Sequence, residues 1–155
     1  MPPQPPRLIF LLNSAQRRLQ QWIGLQQSQA AREGFTAPTA AQSGVLFALA
    51  KQDGATMGDL AHTLDLAPSA VSGLIQRMEA LGWVVRQACP DDGRTQRVWL
   101  LPLGHEQLGP LKEATARINR QLTQGFTPAE LQTVARWLSH VQQLDTRDVN
   151  GVHHD

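Results

Sequence analysis

Small and polar residues recur along one face of a predicted helix. They are Ser69, Ser72, Gly73 and Gln76, with Arg77 at the flank. Serine hydroxyls can bond phosphates or base edges, and a glutamine amide matches the donor and acceptor that adenine shows in the major groove. This face lacks the Glu and Lys of an ordinary solvated helix, so its backbone could approach a DNA groove closely. An exposed helix start without a function is the alternative interpretation.

A predicted β-hairpin follows this helix and carries further cationic side chains. Residues 83–86 and 95–100 have the alternation and composition of two short strands, with Gly82 as the stop of the helix before them. Arg86 and Arg97 lie on these strands. Because cationic side chains bind phosphates, we predict that both contact DNA.

The tip of this hairpin is Asp91-Asp92-Gly93-Arg94. The Arg94 side chain is long enough to enter a narrow minor groove or to pair with a phosphate. Asp91 or Asp92 could hold its guanidinium in place by a charge-assisted hydrogen bond. We therefore predict that Arg94 contacts DNA and that the two aspartates support it.

Two short helices must position these residues. Thr56 is a candidate N-cap for the first helix, and Asp59 is an acidic variant of the capping-box partner. Pro68 suits the first position of the second helix, since its missing N–H costs nothing there. The second helix has an apolar stripe wide enough to dock on a core, formed by Val71, Leu74, Ile75, Met78 and Leu81.

Helix, turn, helix and a charged two-stranded wing is the order of a winged helix-turn-helix. Over roughly residues 38–104 the sequence resembles the MarR family of bacterial transcription regulators. The resemblance is carried by Leu64-x-Leu66-x-Pro68-Ser69-Ala70-Val71-Ser72-x-Leu74-Ile75-x-Arg77-Met78-Glu79-x-x-Gly82-Trp83-Val84-x-Arg86, by Asp91-Asp92-x-Arg94 and by Val98-x-Leu100.

Apolar seams precede and follow this module. Residues 8–22 repeat apolar positions at steps of three and four, as do residues 108–122 and 131–141. A Pro after Thr127, with Glu130 at the third position, marks the start of the last helix. The resemblance implies that the terminal helices, at 7–33 and 104–145, form a homodimer interface around a DNA-binding module at 38–101. We predict one domain over residues 1–155, mainly α with a small β-hairpin wing.

Composition places limits on function. The chain has 155 residues, a hydrophobic share of 41% and a formal net charge of +1. No apolar run approaches the ~18 residues of a membrane span, so we expect a cytoplasmic protein with no membrane contact. Residues 53–101 carry four arginines against six acidic residues, which gives the module a charge of −2. An acidic module weakens a nucleic-acid interpretation, although the arginines all lie on the second helix and the wing.

Candidate catalytic and metal-binding residues are few. The five histidines show no metal-ligand spacing such as HExxH, and the single cysteine, Cys89, has no paired CxxC. We therefore expect no enzyme, no metal and no cofactor. Arg86 and Arg94 could lower the pKa of the Cys89 thiol and make it oxidisable, but we favour an incidental exposed thiol.

The sequence therefore predicts a sequence-specific DNA-binding transcription regulator, and the resemblance implies a homodimer that represses from a pseudo-palindromic, double-stranded operator. The resemblance also implies release of DNA by a small phenolic or lipophilic effector. A winged-helix protein-interaction subunit is the main alternative, supported by the acidic charge of the module. A cysteine-dependent enzyme or sensor is a third.

Overall fold

A computed structural model of the chain describes residues 6–32 and 37–144. This part of the chain forms six α-helices and three short β-strands. The helices are α1 (Leu8–Arg32), α2 (Ala40–Lys51), α3 (Met57–Leu64), α4 (Pro68–Ala80), α5 (Pro102–Thr123) and α6 (Pro128–Gln142), and the strands are β1 (Ala55–Thr56), β2 (Val84–Ala88) and β3 (Gln96–Leu100). The predicted class, mainly helical with a small β wing, is confirmed.

The chain divides into two compact units, Met1–Leu111 and Lys112–Asp155. The first unit contains the whole predicted DNA-binding module, and the second contains α6. The predicted ends of the terminal helices at residues 33 and 145, and two of the five histidines, lie outside the described residues.

The sheet has one strand more than the predicted hairpin. Its order is β1-β3-β2, and all its pairs are antiparallel. Val84 lies opposite Leu100 and Ala88 opposite Gln96, which is the predicted pairing of the wing strands. The extra strand, β1, is only two residues long, and Asp53 secures it: its Oδ1 accepts hydrogen bonds from the Gly54 N–H at 3.1 Å and the Leu100 N–H at 2.9 Å.

Capping boxes begin three of the helices. The Thr56 hydroxyl accepts from the Asp59 N–H, and the Asp59 carboxylate accepts from the Thr56 N–H, as the sequence predicts. Thr127 and Glu130 make the same exchange before α6. Thr39 and Gln42 form a third capping box, and α2 begins at Ala40.

The core of the first unit lies between α2, α3, α4 and one face of the sheet. The predicted stripe of α4 is buried except at Leu81, which is exposed because the helix ends at Ala80. Gly82, with φ of +70°, then turns the chain into β2. The buried apolar residues are Val45, Leu46, Leu49, Ala55, Leu60, Val71, Leu74, Ile75, Met78, Trp83, Val84, Val98 and Leu100.

The start of α5 packs closely against the wing. The helix begins at Pro102 rather than at the predicted residue 104, with proline at its first position. The Trp83 carbonyl accepts the Leu101 N–H at 2.9 Å, and a Cβ on Gly104 would overlap that carbonyl oxygen. Only glycine allows this approach. Later in α5, Pro110 lies inside the helix, one residue before the last residue of the first unit.

Large apolar side chains remain exposed on the terminal helices. On α1, Ile9 is 80% and Phe10 65% exposed, with Leu8 and Leu11 also exposed. In the second unit, Val134 and Leu138 are exposed on α6. Except for Phe10, these side chains belong to the seams that the sequence predicts, and the core does not cover them.

Candidate nucleic-acid interface

The two faces of α4 differ completely in burial. Val71, Ile75 and Met78 are fully buried, which fixes the rotation of the helix about its own axis. Ser69, Ser72, Gln76 and Arg77 are exposed, and Gly73 is half-buried. All five residues predicted for DNA contact from this helix therefore lie on the side away from the core.

Gly73 leaves open space beside the backbone of α4. A Cβ added there would meet nothing nearer than a guanidinium nitrogen of Arg77, at 3.5 Å. The fold would therefore accept a methyl group at this position, so glycine is not needed for packing. Because Gly73 has no side chain, the backbone of α4 is accessible in the middle of the exposed face.

The tip of the wing is organised by Asp92. Its carboxylate accepts from the Arg94 N–H at 3.0 Å and from the Thr95 hydroxyl at 2.9 Å. Its carbonyl accepts the Thr95 N–H, also at 3.0 Å. Asp92 thus supports Arg94 through the backbone, rather than through the guanidinium as predicted from the sequence. The Asp91 carboxylate makes no hydrogen bond within the described residues.

Arg94 itself is exposed, and its guanidinium forms no hydrogen bond or ion pair within residues 6–32 and 37–144. The same holds for Arg77 on α4. Each of these two cations is therefore available to an external anion.

Arg86 has a different environment. Its Nη2 and Nε lie 2.8 Å and 2.9 Å from Glu79 Oε2, and its backbone N–H donates to Glu79 Oε1 at 3.0 Å. Partial burial raises the pKa of the Glu79 carboxyl, but the hydrogen bonds and charge of Arg86 outweigh burial and hold this pKa below its usual value. The carboxylate is thus ionised at neutral pH and neutralises the Arg86 charge.

Arg97 is half-buried and faces the other side of the sheet. Its Nη1 donates to the carbonyl oxygen of Gly54 at 2.8 Å, which joins β3 to the segment before β1. The backbone N–H of Asp91 and the Arg97 guanidinium donate toward the Cys89 sulfur and lower the pKa of that thiol. Sequence reasoning considered Arg86 and Arg94 as neighbours of Cys89, but the structure places Arg97 there.

The structure thus brings the predicted residues together on one module, but in two kinds of environment. The exposed face of α4 and the tip of the wing are free, whereas Arg86 and Arg97 are engaged within the protein. Glu79 and Gly54 are partners that sequence reasoning did not assign. Glu79 lies before the glycine that ends α4 and Arg86 lies after it, and this opposite-charge pair could have indicated their contact. No local sequence pattern indicates that Gly54 contacts Arg97.

This module is similar to a family of known proteins. The family model described as MarR family matches residues 34–95. Residues 34–95 are therefore similar to the MarR family. The match covers α2 to α4 and the wing up to its tip, and so includes every residue predicted to contact DNA except Arg97.

Matches to individual proteins cover more of the chain than the match to the family model does. A Thauera aromatica protein described as a transcriptional regulator for the hcr operon is 24% identical over 103 residues, which are 66% of this chain. The match spans 62% of that relative's length.

Two solved structures show the same fold. A transcriptional regulator from Pseudomonas aeruginosa has a TM-score of 0.71 and 24% identity, over 87% of this chain and 96% of that one. BpsR from Bordetella bronchiseptica, described with regulation of its DNA binding by 6-hydroxynicotinic acid, has a TM-score of 0.66 and 23% identity, over 85% of this chain and 98% of that one.

Within the described residues, no three His, Cys, Asp or Glu side chains are grouped to hold a metal ion. In the same part of the chain, no helix combines the length and apolar character needed to cross a bilayer.

Proposed function

We propose that the chain is a sequence-specific, DNA-binding transcription regulator that acts as a repressor. One observation carries the proposal: α4 is held by a fully buried apolar face and presents on its other face only small or polar residues, with Arg77 at the flank. A helix in this arrangement can enter a major groove, where Ser69, Ser72 and Gln76 meet phosphates and base edges. The match of residues 34–95 to the MarR-family model supports the same function.

The wing supplies the second contact of the proposal. Arg94 is exposed at the tip of the hairpin, where Asp92 holds the backbone. A side chain in this position can reach a neighbouring minor groove or a phosphate. We therefore assign sequence reading to Gln76 and the serines, and anchoring to Arg94 and Arg77.

A homodimer is part of the proposal. The exposed apolar side chains of α1 and α6 are its support, because apolar surface left in water costs about 25 cal/mol per Å². Two copies related by a two-fold axis would present two recognition helices to successive major-groove turns, ~34 Å apart. Replacing Leu12 and Leu19 by glutamate should abolish both the dimer in sedimentation and binding to operator DNA.

Release by a small effector is also proposed. The support is BpsR, whose structural description links its DNA binding to 6-hydroxynicotinic acid, a hydroxylated aromatic acid. We propose a phenolic or aromatic acid effector for this chain, and a cytoplasmic location where operator DNA is found. No enzymatic activity is part of the proposal.

The test is a titration of labelled promoter DNA from beside the gene, with salt varied and with footprinting. We expect protection of two half-sites about 10 bp apart, and an affinity that falls steeply with salt because counterions are released from phosphates. Salt-independent association, or failure to retain any promoter fragment, would refute the proposal. That result would favour the protein-interaction subunit instead.

A further inference from the structure

The ion pair of Glu79 and Arg86 joins the end of α4 to the middle of β2. Three donors of Arg86 converge on this carboxylate at 2.8–3.0 Å. The two side chains are 27% and 28% exposed, so water competes only partly for the pair. Such a multiply bonded pair has a defined geometry, unlike an isolated surface ion pair.

The position of the pair in the sheet shows what it connects. Arg86 lies opposite Val98 in the register of β2 and β3, and cross-strand partners project to the same face. Val98 is fully buried, so Arg86 projects to the face of the sheet that packs on the helices. The pair therefore bridges α4 and the base of the wing on that face.

The backbone link between the same two elements is short. Only residues 81–83 separate α4 from β2, and Gly82 has the positive φ of the turn. The buried contacts of Val84 and Val98 with the apolar face of α4 hold the same two elements together. The ion pair adds a directional polar attachment beside the turn and these contacts, nearer to the tip of the wing.

We infer that Glu79 and Arg86 form a positioning pair that sets the orientation of the wing relative to α4, so that Arg94 and the exposed face of α4 engage one duplex together. Arg86 acts through Glu79 and does not itself contact phosphate. The inference rests on the proposed DNA-binding function for its consequence, although the attachment itself can be measured without DNA.

The Glu79→Gln variant distinguishes this role from direct phosphate contact, because the two roles predict opposite changes in DNA affinity. If Arg86 contacted DNA, removing its acidic partner would free its charge and strengthen binding. If the pair sets the orientation of the wing, Glu79→Gln and Arg86→Gln should each weaken binding to a labelled promoter duplex by about tenfold, and the double variant should be no weaker than either. Stronger binding by Glu79→Gln would overturn the inference.

A second double-mutant cycle, with Glu79→Gln and Arg94→Ala, distinguishes positioning of the wing from a general loss of stability. Arg94→Ala removes the contact that the pair is inferred to direct, so combining it with Glu79→Gln should cost much less than the product of the two separate effects. All variants are compared at a temperature where circular dichroism shows each to be folded. Independent, multiplicative losses would contradict positioning and indicate that the pair only stabilises the fold.

The single cysteine offers a readout without DNA. A nitroxide attached to Cys89 lies on the wing, beside the tip. Both Glu79→Gln and Arg86→Gln should increase the mobility of this label in the free protein, whereas Arg94→Ala should not. An unchanged spectrum would refute the attachment. If mobility rises but the wild type binds no promoter DNA, the attachment stands and the proposed function has failed.

Discussion

Gly73→Ala should raise the stability of the protein while lowering its affinity for operator DNA. Alanine is about 1 kcal/mol more favourable than glycine inside a helix. Nothing in the fold opposes the added methyl group, because its nearest neighbour is the flexible Arg77 side chain at 3.5 Å. For a chain of this size, 1 kcal/mol corresponds to a rise in Tm of roughly 2–4 °C.

The opposite effect on DNA follows from the position of Gly73 in the centre of the exposed face of α4. A methyl group there would hold the helix backbone away from base edges that Ser72 and Gln76 must reach. We expect a loss of about 1–3 kcal/mol in binding, the cost of one mismatched base pair. The assays are thermal unfolding by circular dichroism and fluorescence titration of a labelled operator duplex at fixed salt.

Gly58→Ala is the matched control. Gly58 lies in the first turn of α3, and a Cβ there would have only the Thr56 hydroxyl nearby, at 3.8 Å. This variant should also gain stability but keep its affinity for DNA. If Gly73→Ala were to bind operator as tightly as the wild type, close approach of α4 to DNA would be refuted. A lower Tm would mean that this face packs against protein.

Three further outcomes are expected. Gly104→Ala should destabilise the first unit by roughly 2–4 kcal/mol in urea unfolding, because α5 must move off the wing and lose a hydrogen bond; an unchanged midpoint would refute the close packing. Arg97→Ala should shift the pH dependence of Cys89 alkylation to higher pH, since the thiolate loses a cationic donor; an unshifted profile would exclude their proximity. Asp91→Asn should strengthen binding to random DNA by removing an unengaged charge, whereas Asp92→Asn should weaken it by loosening the tip; equal effects would contradict their separate roles.

Local patterns account for most of what the sequence could predict. Thr56 and Thr127 are recognised as caps because their partners lie three residues away, and the burial of α4 follows from a period of 3.6 residues. The pairing of β2 with β3 follows from a short loop between two alternating segments. In each case, the residues that determine the structure are neighbours along the chain.

Contacts between distant residues could not be predicted in this way. Arg97 donates to Gly54 across 43 positions, and Asp53 accepts from Leu100 across 47. The strand β1 is two residues long, too short to show any alternation. The sequence shows that Arg86 and Arg97 are cationic, but it does not show which groups their guanidiniums bond. Those bonds decide whether each cation can reach DNA.

Hydrogen bonds within the protein also account for most of the acidic side chains of the module. Four of its six acidic side chains accept backbone N–H groups within the protein: Asp53 at the sheet, Asp59 at a helix cap, Glu79 at β2 and Asp92 at the wing tip. These carboxylates are fixed by the fold and face its own backbone, so their positions serve structure. The exposed, unengaged cations Arg77 and Arg94 lie instead on α4 and the wing. A protein surface attracts phosphate through the charges that line its groove-facing side, and not through its total charge. A net charge of −2 is therefore compatible with a DNA-binding surface, provided that Arg86 and Arg97 are counted as part of the framework.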